Sequence, residues 1–135
     1  MTGARQLRIV VETEDYDQAV RFYRDVLGLP TELTLDGEDG ARVTVLMAGR
    51  ATLEIVNPAQ RAMIDELEVG RPVSPRIRLA FEVDDAAATT RRLTAGGASQ
   101  VAPPTRTQWN SLNARLDAPA GLHITIFEEG DPAGS

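Results

Sequence analysis

The chain has 135 residues, with 14 Lys and Arg, 20 Asp and Glu, one His and no Cys, and a formal net charge of −6 at pH 7. That length suits one domain burying about two-thirds of its unfolded surface, and the acidic balance argues against a general nucleic-acid binder. The lack of cysteine removes disulfide and thiolate chemistry and fits a cytoplasmic protein; no apolar run of membrane length and no charged-then-apolar leader is visible, so neither spanning nor secretion is expected.

In chain order, residues 7–12 (LRIVVE) alternate and read as a strand, with Leu7, Ile9 and Val11 on one face and Arg8, Val10 and Glu12 on the other. Asp15 then N-caps a helix, with Gln18 three residues on. Ala19, Val20, Tyr23, Val26 and Leu27 form its expected buried stripe, and Gly28 ends it. Strands are expected at 31–35, 42–48 and 51–57, separated by Asp36-Gly37, Asp39-Gly40 and Gly49. After Asn57-Pro58 come a short helix over 59–68 and a Gly-Arg-Pro-Val-Ser-Pro linker that suits neither helix nor strand. A strand at 76–83, a helix at 85–95, a weak strand near 99–102 and strands at 111–117 and 121–128 follow. The residues from Gly130 to Ser135 read as a disordered tail.

This order says one thing twice. Arg78 and Asp85 stand 70 residues after Arg8 and Asp15, and Gly97 stands 69 after Gly28. The fold class is therefore α+β, with two βαβββ modules in a single domain: module one 5–57, connector 58–75, module two 76–129 and tail 130–135. In 76–83, Ile77, Leu79, Phe81 and Val83 point one way and Arg76, Arg78, Ala80 and Glu82 the other. In 121–128 the apolar set is Leu122, Ile124 and Ile126, opposed by His123, Thr125 and Phe127. The apolar faces should be covered by helices, leaving a mixed face free to line a small-molecule cavity.

The segments DYDQAVRFYRDVLGL (15–29), LEIVNP (53–58), RLAFEVDD (78–85) and RLDAPAGLHITIFEE (115–129) resemble the vicinal oxygen chelate superfamily. That family includes glyoxalase I, the extradiol dioxygenases and the bleomycin-resistance proteins. The resemblance covers nearly the whole chain and implies a cupped mixed sheet with helices on its convex face. Metal-binding members hold a divalent ion through four inward side chains, usually His or Glu, one from each of four strands. The matching positions here are Arg8, Glu54, Arg78 and Thr125, so one carboxylate survives. Guanidinium groups and a hydroxyl do not replace imidazole or carboxylate as donors to a cation.

The resemblance with its ligands lost implies a metal-independent binder of a small, aromatic or polyketide-like compound, as in the bleomycin-resistance branch, with no cofactor. The alternative is a lyase, isomerase or hydrolase in which Glu54 is the general base and Arg8 or Arg78 stabilises an oxyanion. Arg8 and Arg78 could flank Glu54 as a charged cluster, or bind an anionic or carbonyl-rich ligand in fork geometry. His123 reads as a partly exposed strand residue on the cavity parity. Trp109, the sole tryptophan, stands in a loop that overhangs the cleft in the family; with Leu46, Met47, Met63 and Phe127 as candidate neighbours it would stack on a flat organic molecule, and a core cap at a sheet edge is its other reading. The expected ligand-binding set is Arg8, Val10, Leu46, Glu54, Arg78, Trp109, His123, Thr125 and Phe127. The resemblance further implies a two-fold homodimer whose clefts combine Arg8 and Glu54 of one chain with Arg78 and Thr125 of the other.

Overall fold

The computed structural model describes residues 6, 8–51, 54, 56–108 and 110–130, which fall into two compact units, Met1–Ile55 and Val56–Ser135. Trp109 and the expected tail beyond Gly130 lie outside the described residues.

In the first unit, helix α1 (Tyr16–Val20) runs on into a π-helical turn, Arg21–Val26. Asp15 caps it as its side-chain position requires, accepting the Gln18 N–H at 3.2 Å. The Leu27 N–H reaches back five residues to the Phe22 carbonyl at 2.8 Å. This wider turn packs Phe22, absent from the expected stripe, beside Tyr23, their rings edge to face with centroids 4.9 Å apart. Gly28 ends the helix with φ +94°, a conformation that costs glycine little. Strands β1 (Thr31–Asp36) and β2 (Arg42–Leu46) form an antiparallel hairpin in which Leu35 faces Val43. A tight turn at Glu38–Gly40, with Asp39 at φ +58° and Gly40 at φ +79°, joins them.

Two expected strands are not formed by the described residues. Residues 8–12 are not in a strand, and Val10 stands 87% exposed. Nor are residues 51, 54, 56 and 57 in one, the rest of 51–57 being in part outside the described residues. A strand is defined by its ladder, and alternation alone does not supply the partner.

The second unit contains a complete βαβββ module preceded by helix α2 (Pro58–Glu68), which Asn57 caps by accepting the Gln60 N–H at 2.9 Å. Strand β3 (Leu79–Glu82), helix α3 (Ala86–Ala95), and strands β4 (Ser99–Arg106), β5 (Leu112–Ala118) and β6 (Leu122–Glu128) follow. The sheet order is β3-β6-β5-β4, with β3 parallel to β6 and the other pairs antiparallel. Strand β3 is shorter than the expected 76–83 because its pairing begins at Leu79, opposite Ile124. Strand β4 is longer than expected: it includes Pro103 and Pro104, which an edge strand tolerates because one row of its N–H groups needs no ladder partner.

One face of this sheet carries Ala114, Leu116, Ile124 and Ile126, all fully buried, and α3 contributes Ala86 and Leu93 to the same core. Asp85 caps α3 through the Ala88 N–H at 3.0 Å. At the other end the Ala98 N–H returns to the Leu93 carbonyl at 3.0 Å, with Gly97 at φ +129°.

Candidate functional site

The opposite face of the second unit's sheet carries the polar side chains. Register places Asn113 opposite Phe127, Arg115 opposite Thr125 and Asp117 opposite His123, so these six share one face. Arg78, just ahead of β3, donates from Nη1 to Thr125 Oγ1. Of the expected site residues, Arg78, Thr125, His123 and Phe127 are thus brought onto one surface.

That surface is not left open along its whole length. Helix α2 turns Asp65 and Glu68, three residues apart and therefore on one helical face, toward Arg115. Arg115 Nη1 lies 3.1 Å from Asp65 Oδ1 and 3.0 Å from Ser74 Oγ, and Arg115 Nε donates to Glu68 Oε1 at 2.7 Å. Asn113 Nδ2 donates to Glu68 Oε2 at 2.9 Å. Arg115 is 0% exposed, Asp65 2% and Glu68 5%, so this is a dry ionic cluster. Burial pushes the Asp65 carboxyl up, but donation from the Ser74 hydroxyl, the Ser74 and Val73 amides and Arg115 outweighs it and holds the group at about 2.

His123 belongs to the same cluster: it is half-buried on β6, in keeping with its expected partial exposure, with its side chain 8% exposed. A guanidinium only donates, so the 3.2 Å contact from Arg115 Nη1 makes His123 Nε2 an acceptor. The ring proton then sits on Nδ1, facing Asp117 Oδ1 at 3.4 Å. Burial and the neighbouring Arg115 charge hold His123 below the ordinary imidazole range; Asp117 pulls it up and Arg78 further down.

Sequence reasoning missed Asp65, Glu68, Arg115 and Asn113. The signal was present in two places: paired acids at helical spacing in 59–68, and a single arginine at mixed-face parity between Ala114 and Leu116. Neither becomes a site without the register that sets them against each other.

The remaining expected residues lie in the first unit or outside the described residues. Arg8 Nη2 is 3.4 Å from Glu32 Oε2 at the surface. Glu54 and Val10 are exposed, and Leu46 is half-buried at the end of β2. This unit has a separate open groove of about 430 Å³ lined by Tyr16, Asp17, Arg24, Thr34, Arg42 and Thr44 among others. Its groups largely pair with one another: the Tyr16 hydroxyl bonds that of Thr44, and the Arg42 guanidinium lies 4.3 Å over the Tyr16 ring and 3.1 Å from Asp17 Oδ1.

A family model described as "Glyoxalase-like domain" matches residues 8–127. The chain belongs to the Glyoxalase-like domain family. Among solved structures it is similar to a glyoxalase/bleomycin resistance protein/dioxygenase superfamily member from Sphaerobacter thermophilus (19% identity, 96% of this chain and 100% of that one, TM-score 0.65). It is also similar to TnmS3, an antibiotic binding protein from Streptomyces sp. CB03234 (21%, 96% and 99%, TM-score 0.64). A glyoxalase-related enzyme from Fulvimarina pelagi shares 18% identity over 93% of this chain and 89% of that one, with a TM-score of 0.57. At these identities the likeness is one of fold. No curated protein matches the chain significantly.

The divalent cation held by some members of the superfamily does not fit the donors at the matching positions of this Glyoxalase-like domain. Arg78 is permanently protonated and donates to Thr125, which places a positive charge where a cation would need an electron pair. Among the described residues no group of three or more His, Asp and Glu is set to hold a metal ion.

Proposed function

We propose that this Glyoxalase-like domain binds a small organic molecule, aromatic or polyketide-like, without a metal, in the manner of the bleomycin-resistance branch. The observation that carries this reading is the bond between Arg78 and Thr125. Two positions that would ligate metal are instead joined as guanidinium and hydroxyl, donors suited to a ligand's carbonyl or anionic oxygen. The antibiotic binding named for TnmS3 supports it by analogy of fold. The proposal includes a cytoplasmic homodimer, whose mass light scattering would give directly.

The test is a titration of the metal-stripped protein with bleomycin and with an anthraquinone, following the fluorescence of Trp109, the sole tryptophan. Saturable binding that is indifferent to EDTA is expected, with elemental analysis of the untreated protein returning no stoichiometric metal. A requirement for about one metal per chain would overturn the reading. Turnover abolished by Glu54→Gln would replace it with the enzymatic alternative.

A further inference from the structure

Arg115 is buried with its donors unequally used. Nη1 faces Asp65, Ser74 and His123, and Nε donates to Glu68, but the buried Nη2 has no partner among the described residues. In a guanidinium the Nε–H and one Nη–H lie along the same edge, which takes a planar oxyanion on two prongs. Nη2 occupies that edge with Nε. Glu68 fills only one prong because its second oxygen is drawn away to Asn113 Nδ2.

The two acids on Arg115 are held differently. Asp65 accepts the amides of Val73 and Ser74 as well as the Ser74 hydroxyl, and so belongs to the backbone framework at the end of α2. The described bonds to Glu68 come from side chains of β5 alone, and Glu68 is the last residue of the helix, where a rotamer change releases it without unwinding a turn. Asn113, which shares Glu68 with Arg115, retains a buried oxygen without a donor among the described residues, and Phe127 stands opposite it on the sheet. A half-used fork, an unused acceptor and an aromatic ring therefore lie side by side on one face.

We propose that Arg115 is the anion-recognition residue of this face and that Glu68 is a built-in stand-in for the carboxylate of a small hydroxylated aromatic acid. The incoming carboxylate takes both Nε and Nη2, its ring meets Phe127, and its hydroxyl serves Asn113 Oδ1. This rests on the small-molecule reading above and names the ligand class.

Salicylate and its neutral relative salicylamide are the probes, with affinity measured by calorimetry and the Arg115 Nε–H followed by NMR. Glu68→Gln removes the competing charge but keeps the helix, so salicylate affinity should rise about tenfold or more, a charge-assisted bond's share. Asn113→Leu frees Glu68 to occupy both prongs, so salicylate should bind more weakly than to the parent. Arg115→Lys keeps the charge and loses the fork, and binding should disappear; the other two variants decide the matter if this one fails to fold by circular dichroism. Equal salicylate affinity in the parent and Glu68→Gln, or an Arg115 Nε–H unmoved at saturation, would overturn the exchange. If salicylamide binds as tightly as salicylate to both proteins, the exchange falls while the small-molecule reading stands. If neither probe binds Glu68→Gln, the exchange again falls, and the fluorescence titration decides the broader reading separately.

Discussion

Arg115 holds α2 against the second unit's sheet through charge where most surface helices use an apolar stripe. The buried residues of α2 are Asp65 and Glu68, while Met63 and Leu67 stand 40% and 38% exposed. Removing the guanidinium leaves two buried carboxylates uncompensated. Arg115→Leu should therefore lower stability by about 3–5 kcal/mol, read from urea midpoints at unchanged slope. A loss under about 1 kcal/mol would mean that water already screens the cluster. The same residues set the acid limb. Asp65 is held at about 2 against an ordinary 3.8, so its contribution is present above 3.8 and is lost as pH falls through 2; the shift corresponds to about 2 kcal/mol. His123 is held below its ordinary 6.5, so the unfolded chain takes the proton first and stability declines as pH drops below 6.5. Its charged surroundings are Arg115 and Asp117 on β5, Arg78 ahead of β3, and Asp65 on α2 through their shared guanidinium. Unfolding midpoints should be level from pH 8 to 7, fall below 6.5 and fall again below 4. His123→Gln keeps an acceptor for Arg115 and should erase the upper step alone. Persistence of that step in the variant would assign it to another group.

Among elements, those with a local cause were legible in the sequence. Asp15, Asn57 and Asp85 each cap the helix expected after them, since a side-chain oxygen two or three residues ahead of an N–H is a local matter. Elements that depend on a distant partner were not. The alternation of residues 8–12 mimics a strand, β4 runs past two prolines that argue against it, and the π turn that packs Phe22 follows from no periodicity. The candidate site divides the same way. Sheet parity correctly put His123, Thr125 and Phe127 on one face, whereas Glu68 and Arg115, 47 residues apart, meet only through the packing of α2. One close approach is testable at this scale. A Cβ on Gly130 would lie 1.8 Å from the Asn110 carbonyl oxygen, a backbone atom that cannot rotate aside. Gly130→Ala should force the turn at Thr107–Asn110 to move, weakening the 3.0 Å bond from the Asn110 N–H to the Thr107 carbonyl. The expected result is a shift of the Asn110 and Ser111 amide resonances with a small drop in melting temperature. Unmoved resonances would refute the contact.

At the scale of the whole molecule the sequence repeat is not matched by an equal division of structure. Each half opens with an arginine and an Asp-capped helix, but the described buried apolar residues are distributed unevenly. Phe22 and Tyr23 are those of the first unit; the second has Ala86, Leu93, Leu116, Ile124 and Ile126 together with four more alanines. Hydrophobic burial scales with area removed from water, and opening free energy follows the burial that opening undoes. The two units should therefore exchange amide hydrogens at different rates. Amides of β5 and β6 lie inside a four-stranded sheet with α3 on one face and the Arg115 cluster on the other, so their exposure requires breaking both. Those of β1 and β2 belong to a two-stranded hairpin whose first strand is exposed along its full length, a class of structure that is marginal alone. Native-state exchange read by mass spectrometry should show β5 and β6 protected to nearly the global unfolding free energy, and the hairpin exchanging through smaller openings at low denaturant. Arg115→Leu should narrow that gap by lowering protection in the second unit while leaving the hairpin's openings unchanged. Equal protection of hairpin and four-stranded sheet, with the same denaturant dependence, would show one cooperative body and defeat the prediction.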